Sequence, residues 1–365
     1  MNLDEILRAG LKAGATDVHL RPGKPPVIRV HGELRVLDNT PAIEPEEIDR
    51  AARRLLNPSL AARFERDGGV DFPSMHADLG CFRASVFHAQ GETGLAFRVI
   101  PFLPPVLDRL NLPPVIERLA LEERGLILAT GPAGSGKSTT LAAMINHIAR
   151  SRRCHILTIE DPIEFLFEDH GALITQREVG SDTASFAEAL RLSFRLDPNV
   201  IMVGEMRDLE TVATVLALAE TGHLVLSTLH TLNAAETVNR IIAQFPPHHE
   251  RQIRYQLAQV LRGVVSLRLM PRADRVGRIP ACEVMVTTTT IQRCIEDPAR
   301  AGQIPEFIAQ GQEVYGMQTF DQCIFTLFRD GLITYETALR FCTTPVDFEI
   351  RVARELPDRV PPVRP

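Results

Sequence analysis

At 365 residues, 45% hydrophobic and 24% charged, the chain has ordinary globular composition and enough length for two domains with a core each. A formal net charge of −6 argues against a nucleic-acid-coating role, which needs clustered excess Lys and Arg to displace counterions. No run approaches the roughly 18 to 20 apolar residues of a membrane span, MNLDEILRAGLK lacks the regions of a signal peptide, and the six scattered cysteines contain no C-x-x-C. A cytosolic chain without zinc or disulfides is expected, its cysteines serving as small core residues.

The predicted elements begin with helical spacing at Leu3, Ile6, Leu7 and Leu11. Next, Val27-Ile28-Arg29-Val30 and Leu34-Arg35-Val36-Leu37 flank a His31-Gly32-Glu33 turn as a hairpin. Helical spacing returns at Ile48, Ala52, Leu55 and Leu56, and a second hairpin follows, Phe82–Phe87 and Leu95–Ile100 around Gly91-Glu92-Thr93-Gly94. Residues 1–100 therefore read as a small α+β domain. Five prolines in PFLPPVLDRLNLPP predict an extended connector over 101–114. From there on, apolar runs at 126–130, 155–160, 200–205 and 223–229 alternate with helical stretches, the pattern of a parallel sheet with crossovers. After about residue 245 the chain reads as mainly helical, with further strands at 264–270 and 279–286.

GPAGSGKST, after a strand and before the helical LAAMINHIAR, fits G-x-x-x-x-G-K-[ST]. Gly131, Pro132, Ala133, Gly134, Ser135, Gly136 and Thr139 form a loop whose backbone N–H groups turn toward phosphates. Lys137 neutralises β/γ oxygens and Ser138 offers a hydroxyl to Mg²⁺. Glu160, Asp161 and Glu164 fall just beyond a buried strand, the edge where open α/β sheets bind ligands, although a solvated acidic turn would look the same. Asn199 to Glu205 is another apolar run ending in a carboxylate, where a P-loop ATPase places its Mg²⁺ or water-activating acid; Gly204 stands where many carry Asp, leaving the work to Glu205. His223 and His230 bracket a strand. A lone histidine there is commonly structural, whereas the pair points to a γ-phosphate sensor or a subunit contact.

Taken together, GPAGSGKSTT, TIEDPIEF, DPNVIMVGEMRD and AETGHLVLSTLHTLNAAETVNRII resemble the Walker A, Asp box, Walker B and His box of the type II/IV secretion ATPase superfamily, in order and interval. GATDVHLRPGKPPVIRVHGEL resembles the opening of the family's PAS-like N-terminal domain. The branch most similar is that of type IV pilus retraction; the short N-terminal region and the missing tetracysteine module set the chain apart from extension and secretion ATPases. The resemblance implies a PAS-like domain over 1–100, a linker over 101–114 and a RecA-like ATPase domain with a helical C-terminal end over 115–365. It further implies a homo-hexamer that binds ATP and Mg²⁺ between its domains and rotates them as rigid bodies.

In that family's terms Glu164 and Glu205 divide water activation and Mg²⁺ coordination, with Glu164 favoured as base. His223 and His230 take the His-box positions. Arg83 and Arg98 match arginine fingers, exposed strand charges being the alternative. The family's AIRNLI motif reads Thr290-Ile291-Gln292-Arg293-Cys294-Ile295 here, which keeps the apolar frame and changes the Arg-Asn pair. The function implied is pilus retraction and twitching, at the cytoplasmic face of the inner membrane, through a membrane platform protein. Two alternatives remain: an accessory ring component that modulates a second pilus ATPase, and an extension or secretion ATPase.

Overall fold

The computed structural model describes residues 2–30, 32–38, 40–76, 78–100 and 104–359. The chain divides into two compact units: Met1–Leu103 with Ile163–Leu166, and Pro104–Pro162 with Phe167–Pro365.

The first unit is a six-stranded antiparallel sheet with helices Leu3–Lys12, Pro45–Leu55 and Pro58–Asp67. Its strands are β1 (Asp17–Leu20), β2 (Val27–Val30), β3 (Glu33–Val36), β4 (Gly69–His76), β5 (Gly80–Ala89) and β6 (Glu92–Val99), in the order β3-β2-β1-β6-β5-β4. Side chains on a strand alternate between faces, so Phe82, Ala84 and Val86 of β5 and Leu95 and Phe97 of β6 enter the core while Arg83 and Arg98 stand on the other face. The second hairpin turns at Gln90-Gly91, with φ of 57° and 83°, and not at Gly91–Gly94. Two consecutive positive φ values match the right-handed twist of the flanking strands and allow the tightest connection. In the first hairpin, Glu33 is already strand and His31 lies outside the described residues.

In the second unit β7 (Gly125–Thr130), β8 (His155–Glu160), β9 (Leu173–Glu178), β10 (Val200–Val203), β11 (Leu224–Leu229), β12 (Leu261–Pro271) and β13 (Arg278–Val286) form a seven-stranded sheet in the order β13-β12-β7-β11-β10-β8-β9. All neighbours are parallel except β12 and β13. The central strands are buried on both faces. Leu126 and Leu128 enter one hydrophobic cluster and Ile127 and Ala129 the other, which is why these strands are uninterrupted apolar runs. Helices Phe320–Arg329 and Pro345–Glu355 close a separate cluster on the far ends of β12 and β13, through Phe320, Ile324, Phe348 and Val352 against Met270 and Ile279.

The predicted extended connector differs in part. Pro101 to Leu103 lie outside the described residues, and from Pro104 the chain belongs to the second unit. The Pro104 and Pro105 carbonyls accept from Asn146, and Leu107–Arg109 forms a 3-10 turn with Leu107 buried.

Candidate functional site

Because the strands β7, β8, β10 and β11 are parallel, their C-terminal ends share one edge, and the polar residues that follow them are brought together there. Gly131 leaves β7 at φ 139°; a Cβ on it would lie 2.5 Å from the Leu267 carbonyl and 2.6 Å from Ser135 Oγ. Only glycine fits that bend. Gly134 and Gly136 also take positive φ, 74° and 101°, and helix Lys137–Ser151 starts at once, presenting its positive dipole end to the loop. Pro132, Ala133 and Thr139 complete the turn. The ammonium of Lys137, 8% exposed, donates to the Gly131 and Pro132 carbonyls at 2.9 Å each. Ser135 Oγ is buried with no hydrogen-bond partner.

A buried unpaired hydroxyl at the turn that enters a helix N-terminus is a poor arrangement for stability alone and a good one for a phosphate group. Beside the loop, a cavity of about 440 Å³ is lined by Ser135, Gly136, Thr139 and Thr140 and by Arg109, Asn111, Arg272, Arg275 and Arg278. Size and lining suit the remainder of a nucleotide.

Glu205 follows β10, two strands from the P-loop, about 10 Å at the ordinary strand spacing. Its carboxylate side chain is 13% exposed; Arg207 reaches Oε1 at 2.6 Å and His230 Nε2 stands 3.8 Å from Oε2. Thr228 of β11 donates to the Gly204 carbonyl at 2.6 Å, which ties the strand before His230 to the backbone before Glu205. For Mg²⁺ the protein offers the Ser138 hydroxyl and the Glu205 carboxylate. Among the described residues there is no group of three or more His, Cys, Asp or Glu able to cage a metal. That donor set fits an ion held chiefly through phosphate oxygens and water.

The other sequence-predicted residues are placed differently. Glu160 is the last residue of β8, not beyond it; it is 6% exposed and accepts from Thr158 at 2.7 Å and Gln176 at 3.2 Å. Asp161 is exposed at the strand's end, and Glu164 is exposed within the Ile163–Leu166 segment of the first unit. His223 is not brought to this edge. It precedes β11, about 23 Å from His230 along the chain at strand rise, with Nδ1 2.9 Å from the Leu218 carbonyl and its ring edge-on to Phe194. Its surroundings are those of a structural histidine.

Arg83 and Arg98 are direct cross-strand neighbours on β5 and β6, a like-charge pairing that weakens a sheet. Two carboxylates offset it: Asp17 accepts from Arg98 Nε at 2.8 Å, and Asp71 lies 3.5 Å from Arg83. Burial alone would raise the pKa of Asp17, but hydrogen bonds from Arg98 and Thr16 outweigh it and hold the carboxyl below its usual range.

Three features escaped sequence reasoning. Arg207 lies inside the quoted DPNVIMVGEMRD but was not distinguishable from any surface arginine. Asp17 carried no signal apart from its place in the strand DVHL. The cavity arginines Arg272, Arg275 and Arg278 come from the β12–β13 connection and its margins, remote in sequence from the P-loop.

Comparison with known proteins gives these geometries a family. The family described as type II/IV secretion system protein matches residues 111–329. The type IV pilus retraction ATPase PilT of Pseudomonas aeruginosa is 40% identical over 348 residues, 95% of this chain and 100% of that protein. The type IV pilus ATPase PilU of the same organism is 36% identical over 354 residues, 96% of this chain and 91% of its own. Among solved structures, the pilus retraction motor PilT with bound ADP superposes with a TM-score of 0.88 at 41% identity, covering 95% of this chain and 98% of that one. Among the described residues no helix is long and apolar enough to cross a membrane. The chain is a close homologue of PilT and belongs to the type II/IV secretion ATPase family.

Proposed function

We propose that the chain is an ATP-hydrolysing motor for type IV pilus retraction. It works as a homo-hexamer at the cytoplasmic face of the inner membrane, on a platform protein that removes pilin subunits. The observation that carries this reading is the convergence of Lys137, Ser138, Glu205 and His230 on one sheet edge, in a chain that matches PilT over 95% of its length. The P-loop N–H groups and Lys137 bind the phosphates, and the arginine-lined cavity takes the nucleoside. Ser138 and Glu205 are the residues that would hold Mg²⁺, which supplies charge neutralisation on the β- and γ-phosphates.

Glu205, between Arg207 and His230, orients or deprotonates the attacking water, with Glu164 as the second carboxylate. His230 reports the γ-phosphate. Arg83 and Arg98 spread positive charge over the transferring phosphoryl oxygens, and their place on a separate unit from the P-loop ties turnover to domain movement.

The test is retraction in a strain lacking its own retraction ATPase and expressing this chain, beside Lys137→Ala. Restored retraction that depends on Lys137 supports the motor. Bald cells on deletion of the native gene in its own host would instead mark an extension motor. One observation favours a second reading, in which the chain assists another pilus ATPase: the changed pair puts a half-buried Gln292 and an exposed Arg293 on helix Thr289–Glu296, whose Ile291, Cys294 and Ile295 are buried. Retraction only in the presence of a second ATPase would select it.

A further inference from the structure

A row of buried polar side chains crosses three strands near the phosphate edge. Thr130, the last residue of β7, has its hydroxyl 2.8 Å from that of Ser266 on β12, and Ser266 is in register with Thr130 on one side and Glu283 of β13 on the other. Glu283, 7% exposed, accepts the backbone N–H of Ala234 through Oε1 at 2.8 Å. Ala234 opens helix Ala234–Ile242, which begins four residues after His230.

That helix does not need Glu283 in order to start. Asn233 already caps it, accepting from Glu236 N–H at 2.8 Å, and the Glu236 carboxylate accepts from Leu232 N–H at 2.9 Å. A buried carboxylate is costly to keep. Burial pushes the Glu283 pKa up; the Ala234 N–H and the Arg268 guanidinium act against burial, and Asp321 adds to it. What the carboxylate achieves is a tie between the segment following His230 and the strand row that leads into the P-loop.

We infer that Glu283 is a positioning residue for nucleotide turnover, holding the Ala234 N–H so that the backbone carrying His230 keeps the imidazole at Glu205 and in step with Thr130 ahead of the P-loop. Glu283 touches none of the reacting groups. The inference rests on the ATPase reading above.

The test uses the full chain. Glu283→Met removes the acceptor at similar volume, and Glu283→Gln keeps an acceptor oxygen without the charge. The Met variant should lose about tenfold to fiftyfold in kcat while KM for ATP and affinity for fluorescent ADP stay within about threefold, and Gln should restore kcat to within about threefold of wild type. Combined with His230→Ala, the Met change should add no further loss, because it acts through that imidazole. If the Met variant does not fold, Glu283→Asp, one methylene short of Ala234, replaces it with the same expectation. Unchanged kcat in the folded variant, a parallel fall of kcat and ADP affinity, or additive loss with His230→Ala would each overturn the inference. Absence of ATP turnover in the assembled wild type would instead remove the ATPase reading on which it stands.

Discussion

An ammonium as buried as that of Lys137 must have acceptors, and the P-loop supplies two of its own carbonyls at 2.9 Å. The same ammonium is the charge available to phosphate oxygens, so Lys137→Ala should lower turnover at least ~100-fold and weaken ADP binding in a fluorescence titration. Glu205→Ala should lower turnover by a similar ~100-fold, through loss of its place beside the water and the metal; near-normal turnover would remove it from the site. Asp17 adds a pH signature. With its folded pKa below the unfolded value of roughly 3.9, its contribution is complete at neutral pH and is lost as pH falls below that unfolded value and through the folded one. Hydrogen-exchange protection factors of β1 and β6, taken relative to the intrinsic exchange rate at each pH, should therefore fall below about pH 4 in wild type, and Asp17→Asn, costing on the order of 1 kcal/mol at neutral pH given the exposure of Arg98, should flatten that response. Lys137 and Glu205 were legible because a glycine-lysine loop or an apolar run ending in a carboxylate is local in sequence. Arg207 and Asp17 become special only through partners brought by the fold.

At the scale of elements, the strand-to-helix junction at Gly131 is the most constrained. Gly131→Ala would place a methyl carbon 2.5 Å from a backbone carbonyl at φ 139°, strain on the order of 2–3 kcal/mol with nowhere to relax, since Leu267 belongs to β12. Loss of ADP binding and a lower melting temperature are expected; wild-type ADP affinity would mean the loop does not hold phosphate in this conformation. The central parallel strands were readable because burial on both faces leaves continuous apolar runs, whereas the half-buried parallel edge strand β9, LITQRE, was not. In the first unit β1 and β4 were harder. GVDFPSMH carries a proline and alternates weakly, yet β4 is an edge strand, where a missing N–H donor is tolerated. The misreading of His223 has a geometric origin: residues at the two ends of a parallel strand sit at opposite edges of the sheet, and only the C-terminal one, His230, meets Glu205. His223→Ala should accordingly lower stability more than it changes kcat, as thermal melting beside steady-state turnover would reveal.

At the scale of the whole molecule, the proposed division of labour separates making the motion from delivering it. The P-loop, Glu205 and His230 follow strands of the sheet at one edge, whereas Gln292 and Arg293 stand on a helix whose Ile291, Cys294 and Ile295 are buried in the core. Substituting the half-buried Gln292 and the exposed Arg293 leaves that apolar contact intact, so Gln292→Ala/Arg293→Ala should fold normally and hydrolyse ATP within about twofold of wild type, as expected when no core side chain is changed. If this face delivers work to the pilus machinery, retraction measured in the same strain should nevertheless fall severely. Turnover and retraction falling together would place the helix in the catalytic cycle. Both staying normal would show that the pair plays no part in output, and the chain's departure from the AIRNLI pattern would then carry no mechanical meaning.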